Sequence, residues 1–141
     1  ASESPSWQQS LNALRTLPGF GFIVAGTLLT ETDGLEAFLT AKQLIAYAGL
    51  APAPYESGSS VKRRTHISKV GNQRLRRIAY LAAVSSIRTD SVFREFYTRL
   101  RKRGKPPKVA LVAVARRLLT VAFAVVRSQT PFDPTYVPKR A

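Results

Sequence analysis

Apolar residues recur along this chain at helical spacing, and the pattern predicts helices almost throughout. Trp7, Leu11 and Leu14 fall on one face of an incoming helix. Leu17-Pro18-Gly19-Phe20-Gly21 reads as a turn, and Phe22 to Thr30 as an apolar helix with Ala25 and Gly26 small on one side. Thr40, with Gln43 three residues later, makes a capping box for a short helix through Leu44, Ile45 and Tyr47, which Gly49 ends. Pro52 and Pro54 then keep the chain extended, because proline restricts both its own φ and the residue before it.

The second half continues in the same period. Ser68 is the expected N-cap of a long helix from about Lys69 to Ile87, with Ile78, Leu81, Ala82 and Ser85 on its apolar or small face. Asp90 is the expected cap of the next, which runs through Phe93, Phe96, Tyr97 and Leu100 to Arg103 and closes at Gly104. Pro106 and Pro107 suit a helix start. Val109 to Arg127 is apolar nearly all round apart from Arg116 and Arg117, as a central core helix is and a membrane span is not. The fold class expected is all-α, with five to six helices. Strands are scarce, a short β pairing across the serine-rich loop being the one place for them.

Composition narrows the class. A chain of 141 residues, 45% apolar and 21% charged, is the size of one globular domain. It has no cysteine for disulfides or thiolate zinc sites, and a single His66 cannot build a histidine metal cluster. The N-terminus lacks a basic stretch followed by an apolar run, so a cytoplasmic protein without membrane attachment is expected. Charge is divided unevenly. Residues 1–56 carry two basic and five acidic side chains, whereas 57–141 carry 20 basic and three acidic ones. Such a half is a candidate polyanion binder.

The most informative stretch is Pro54 to Arg77. Ser57, Ser59 and Ser60 flank Gly58, and seven cations follow from Lys62 to Arg77 without an acid among them. Hydroxyls beside cations point to phosphate chemistry. His66 reads as a surface hydrogen-bonding residue rather than a base. Tyr55, Tyr80 and Tyr97 read as core or stacking residues rather than nucleophiles. Upstream, Pro18-Gly19-Phe20-Gly21 before a small-residue helix is similar to a helix-hairpin-helix element, whose glycines bring backbone N–H groups close to a phosphate. A plain tight turn explains it equally well, and Glu31, Asp33 and Glu36 argue against close DNA contact on that side.

Taken in order, Pro18-Gly19-Phe20-Gly21, Ala46-Tyr47-Ala48-Gly49-Leu50-Ala51-Pro52, Ser57-Gly58, Ile67-Ser68-Lys69 with Gly71-Asn72, Arg74-Leu75-Arg76-Arg77, Phe96-Tyr97, and Lys108-Val109-Ala110 ahead of Arg116 form an ordered set. It resembles the C-terminal domain of the bridge-RNA-guided insertion-sequence transposases, relatives of the pilin-gene-inverting recombinase. The resemblance covers residues 17–134, which leaves 1–16 as the end of a connecting helix and 135–141 as an irregular tail. It implies a parent enzyme with an N-terminal, resolvase-like domain whose carboxylates bind Mg2+, a domain with no counterpart here. It also implies a homo-oligomer acting on DNA with a guide RNA, associated with the bacterial or archaeal nucleoid.

By the same resemblance Ser57 is the nucleophile that attacks a DNA phosphodiester and forms a phosphoserine intermediate, with Ser59 and Ser60 as alternatives. The residues themselves name no base, and a serine hydroxyl needs one or a nearby cation. The chain itself is expected to hold no metal or other cofactor. The expected nucleic-acid contacts are Gly19, Gly21, Lys62, Arg63, Arg64, Lys69, Asn72, Arg74, Arg76, Arg77, Arg101, Lys102, Lys105 and Lys108; for Arg74, Arg76 and Arg77 the alternative is a solvent-facing position or pairing with Glu95. The rival readings are a non-catalytic module that grips nucleic acid by its backbone and a structural ribonucleoprotein component.

Overall fold

Helix α6, Pro107–Ser128, runs through the middle of the computed structural model, which describes residues 5–52, 72–133 and 135. Pro107 occupies its first turn, and Ala110, Val114, Ala115, Leu118, Leu119, Ala122, Val125 and Val126 are buried along it. A stripe this broad needs neighbours on several sides. They are α1 (Pro5–Leu14), α3 (Ala41–Tyr47), α4 (Gln73–Ser86) and α5 (Val92–Lys102), with α2 (Phe22–Thr32) packed between α1 and α4. Six α-helices and the 3-10 turn Asp33–Leu35 make up the described residues, which contain no strand; the β pairing across the serine loop falls outside them. Helix α6 is long and apolar enough to cross a membrane, but more than half of its apolar window is buried in this core.

Helix α1 contributes Leu11, Ala13 and Leu14 to the same core, Leu14 without exposed surface. The turn after it brings Gly19, at φ 86, so close to α4 that a Cβ there would lie 2.4 Å from the Ala82 carbonyl oxygen and 3.2 Å from Ser86 Cβ. Gly19 therefore lets two backbones touch. Gly21 is different: it caps α2 in extended conformation, and a Cβ on it would meet open space.

Three helix boundaries refine the sequence reading. Thr40 caps α3 as expected, its hydroxyl accepting from the Gln43 amide, while Gln43 Oε1 accepts from the Leu39 amide at 2.7 Å, one residue before the cap. Helix α4 is capped by Asn72 rather than by Ser68, which lies outside the described residues; Asn72 is extended and its Oδ1 accepts from Leu75 N at 2.8 Å. Helix α5 is capped by Ser91 rather than Asp90, because Ser91 is the extended residue whose hydroxyl reaches the Arg94 amide at 3.2 Å.

Two helix ends share one device. After α3, Gly49 (φ 77) donates to Ala46 O and Leu50 to Ile45 O, and after α5, Gly104 (φ 93) donates to Arg101 O and Lys105 to Leu100 O. These paired bonds form Schellman ends, which turn the chain sharply while satisfying the last carbonyls. The first aims the chain at Leu50. The second swings it from α5 into the start of α6.

Candidate nucleic-acid interface

A groove of about 480 Å³ lies between α4 and the N-terminal part of α6. Helix α4 supplies Gln73, Arg76, Arg77, Tyr80 and Leu81, spaced three and four residues apart so that they share one face. Helix α6 supplies Lys108 and, one turn on, Val112, and Leu50 closes the end beneath the Schellman turn of α3. Leu50, Tyr80, Leu81 and Val112 make it apolar, while Arg76, Arg77 and Lys108 bring three cations. Among the described residues, no carboxylate pairs with those three. Two basic segments about thirty residues apart thus converge on one surface. Leu50 and Gln73 also stand on either side of segment 53–71.

Leu81 departs from expectation. It is 55% exposed, whereas Ile78 and Ala82 are buried, so Leu81 lines the groove instead of filling the core. Tyr80 is half-buried there.

A second cluster fastens the start of α4. Asn72 Nδ2 donates to Glu31 Oε1 at 2.9 Å and to the Tyr47 hydroxyl at 3.4 Å, and Arg74 Nη1 meets Glu31 Oε2 at 3.0 Å. Phe38 lies against the Tyr47 ring, centroids 5.4 Å apart. These bonds, the one from Asn72 foremost and then that from Arg74, hold the Glu31 carboxyl below its ordinary range. Arg74 therefore pairs with Glu31 and not with Glu95. Asn72 is spent on capping α4 and on anchoring it to α2 and α3.

The two arginines of α6 part ways. Arg116 is half-buried and its Nη1 donates to Leu50 O at 3.1 Å; burial pulls its pKa below the ordinary guanidinium value. Arg117 lies over the Phe96 ring, 4.3 Å from its centroid. At the corner between α5 and α6, Arg101 donates to Lys105 O at 2.8 Å, while Lys102 and Lys105 are exposed.

Of the residues singled out in the sequence, then, Arg76, Arg77 and Lys108 meet in the groove, and Arg101, Lys102 and Lys105 sit at the corner leading to Lys108. Gly19 and Gly21 line no part of the groove. Ser57, Ser59, Ser60, Lys62, Arg63, Arg64, His66 and Lys69 lie outside the described residues. The contribution of Leu50 and the tie from Arg116 were not anticipated, since neither has a local sequence signal. No three of His, Asp and Glu gather among the described residues to hold a metal ion; the Mg2+ that the resemblance implies belongs to the N-terminal domain, and no step is assigned to it here.

Residues 11–98, more than half of the chain, match the model of the Transposase IS116/IS110/IS902 family. The chain belongs to this family. It is 34% identical over 131 residues to the pilin gene-inverting protein of Moraxella bovis, covering 92% of this chain and 41% of that protein. It is 40% identical over 123 residues to a 42 kDa protein of insertion element IS900 from Mycobacterium paratuberculosis, 84% of this chain and 30% of the relative. With a 43.6 kDa protein of insertion element IS110 from Streptomyces coelicolor it shares 37% over 120 residues, 85% of this chain and 29% of the relative. The chain thus spans about two fifths or less of the length of these relatives.

Proposed function

We propose that this chain is the C-terminal domain of a DNA transposase or site-specific recombinase, that it holds DNA in the groove between α4 and α6, and that Ser57 supplies the nucleophile. The observation that carries the reading is the convergence of Arg76, Arg77 and Lys108 on one surface lined also by Leu50 and Gln73, which in chain order precede and follow the segment bearing Ser57. Membership of a transposase family supports the reading that the chain acts in DNA recombination. Three cations that pair with no carboxylate among the described residues can neutralise phosphates, and phosphate neutralisation gives an affinity that falls steeply with salt. Closely placed positive charge also stabilises the charge that develops on a phosphoryl group under attack.

In the proposed step the serine oxygen bonds to phosphorus as the bond to one deoxyribose oxygen breaks, leaving a phosphoserine link and a free DNA end. Reversal onto a second end joins new partners. The hydroxyl proton leaves to a base that this chain does not supply from its described residues. Guidance by a bridge RNA, assembly as a homo-oligomer and a cytoplasmic, nucleoid-associated site of action belong to the same proposal. They rest on the family resemblance. The chain by itself is expected to bind DNA without cutting it.

The test uses the full-length parent enzyme with its guide RNA and an end-labelled target. An SDS-resistant protein–DNA adduct is measured in wild type, Ser57→Ala and the Ser59→Ala/Ser60→Ala double variant. Loss in Ser57→Ala alone, with DNA binding retained, is the expected result. An adduct that persists in every variant sinks the serine assignment and leaves a nucleic-acid-binding module.

A further inference from the structure

We infer that the groove between α4 and α6 seats one unstacked nucleotide of a single-stranded stretch, its base against Tyr80 and its phosphates on Arg76, Arg77 and Lys108. The inference rests on the proposed nucleic-acid function and specifies what enters the site. Cations alone suffice to track a duplex backbone. This groove has more than cations: an apolar floor from Leu50, Val112 and the half-exposed Leu81, with the Tyr80 ring beside them. Apolar surface and an aromatic ring offer nothing to a phosphodiester. They fit the flat face of a base, and a base presents its face only when it has left the stack.

The spacing supports the same occupant. Arg76 and Arg77 stand one turn before Tyr80 and Leu81 on α4, so cation and ring follow one another along a single helix face. Lys108 and Val112 repeat that order on α6. Each wall therefore presents charge first and apolar surface one turn later, as a nucleotide presents phosphate and then base. The volume of about 480 Å³ lies within the range of sites for ligands of this size. Leu81 in particular is a large apolar side chain left open to solvent on a helix whose other exposed residues, Gln73, Arg74, Arg77 and Ser85, are polar.

The experiment titrates the 141-residue chain into single-stranded oligonucleotides carrying one 2-aminopurine, in deoxyribose and ribose forms, and into a duplex of equal phosphate number. The expected result is tighter binding of the single strand with a change in 2-aminopurine emission. Tyr80→Leu should weaken single-strand binding about 5- to 150-fold, the equivalent of losing one stacked base. Tyr80→Phe should retain it. Leu81→Gln, at an exposed position that does not threaten folding, should weaken it in the same direction. The ribose and deoxyribose arms assign the strand to RNA or DNA. Equal affinity for single strand and duplex, or equal losses on both in Tyr80→Leu and Leu81→Gln, overturns the seat and leaves the DNA-binding reading standing. Absence of binding to every oligonucleotide overturns both.

Discussion

The Arg116 guanidinium, in the middle of the core helix, donates a 3.1 Å hydrogen bond to the Leu50 carbonyl oxygen at the end of α3. Leu50 is buried and its amide is already used by the Schellman turn, so this bond completes the pairing of its backbone. The tie fixes the point from which the chain departs toward Ser57. Removing the donor in Arg116→Leu leaves a buried carbonyl without that partner. A loss of about 1–3 kcal/mol in urea unfolding is expected, with faster exchange of the Leu50 amide, which bonds Ile45 O in the same turn. A change below about 0.5 kcal/mol, the range of an ordinary surface substitution, contradicts the tie.

Glu31 makes α4 sensitive to acid. Its carboxyl is held below the ordinary value by the Asn72 amide and then by Arg74. The stabilisation is therefore complete above the ordinary glutamate value of 4.5 and is lost as pH falls through the lowered folded value. Glu31→Gln should lower stability at neutral pH, and the gap from wild type should narrow as pH falls below 4.5 and through the lowered folded value of Glu31, where the carboxyl becomes neutral. A gap that is constant across that span excludes the ionised clamp.

Gly19 and Gly21 separate packing from capping. Gly19→Ala meets a left-handed backbone and the Ala82 carbonyl together. About 1–2 kcal/mol for the backbone and 1–3 kcal/mol for overpacking predict a loss of at least about 2 kcal/mol in thermal or urea unfolding. Gly21→Ala has an ordinary φ of −86 and open space, so a loss under about 1 kcal/mol is expected. Equal effects at the two positions contradict the close approach of the turn to α4.

The groove cations should register in salt titrations of DNA affinity. Each of Arg76→Ala, Arg77→Ala and Lys108→Ala is expected to flatten the slope of log affinity against log salt by about 1, one phosphate contact each. Arg74→Ala should change it less, because Glu31 already neutralises Arg74. Three slopes that match wild type place the phosphate contacts elsewhere.

Much of the helix content was legible along the chain because helices are set by local rules. The period of apolar residues found α1, α2, α3, α5 and α6, and the Thr40 cap, the Gly49 and Gly104 ends and the proline start of α6 sit where local signals put them. Ser91 and Asn72 took the caps expected of Asp90 and Ser68 because several polar residues near a helix start can each serve. Which one turns extended and reaches the third amide is decided by the path of the incoming chain. Leu81 was misplaced for a related reason: a period assigns a face to a helix, but not which edge of that face the neighbouring helix leaves uncovered.

By itself the sequence determined an all-α protein, a basic second half and an ordered set of motifs similar to one transposase family, since composition and spacing are properties of the chain alone. Tertiary structure decided which cations are available. Arg74 is drawn to Glu31, 43 residues away, and Asn72 is consumed in a cap and an anchor, while Arg76 and Arg77 meet Lys108 across a groove floored by Leu50 and Tyr80. The physical reason is that pairing and pocket formation depend on distances between residues remote in sequence. Those distances are set when α4 packs onto α6, and no local pattern encodes them.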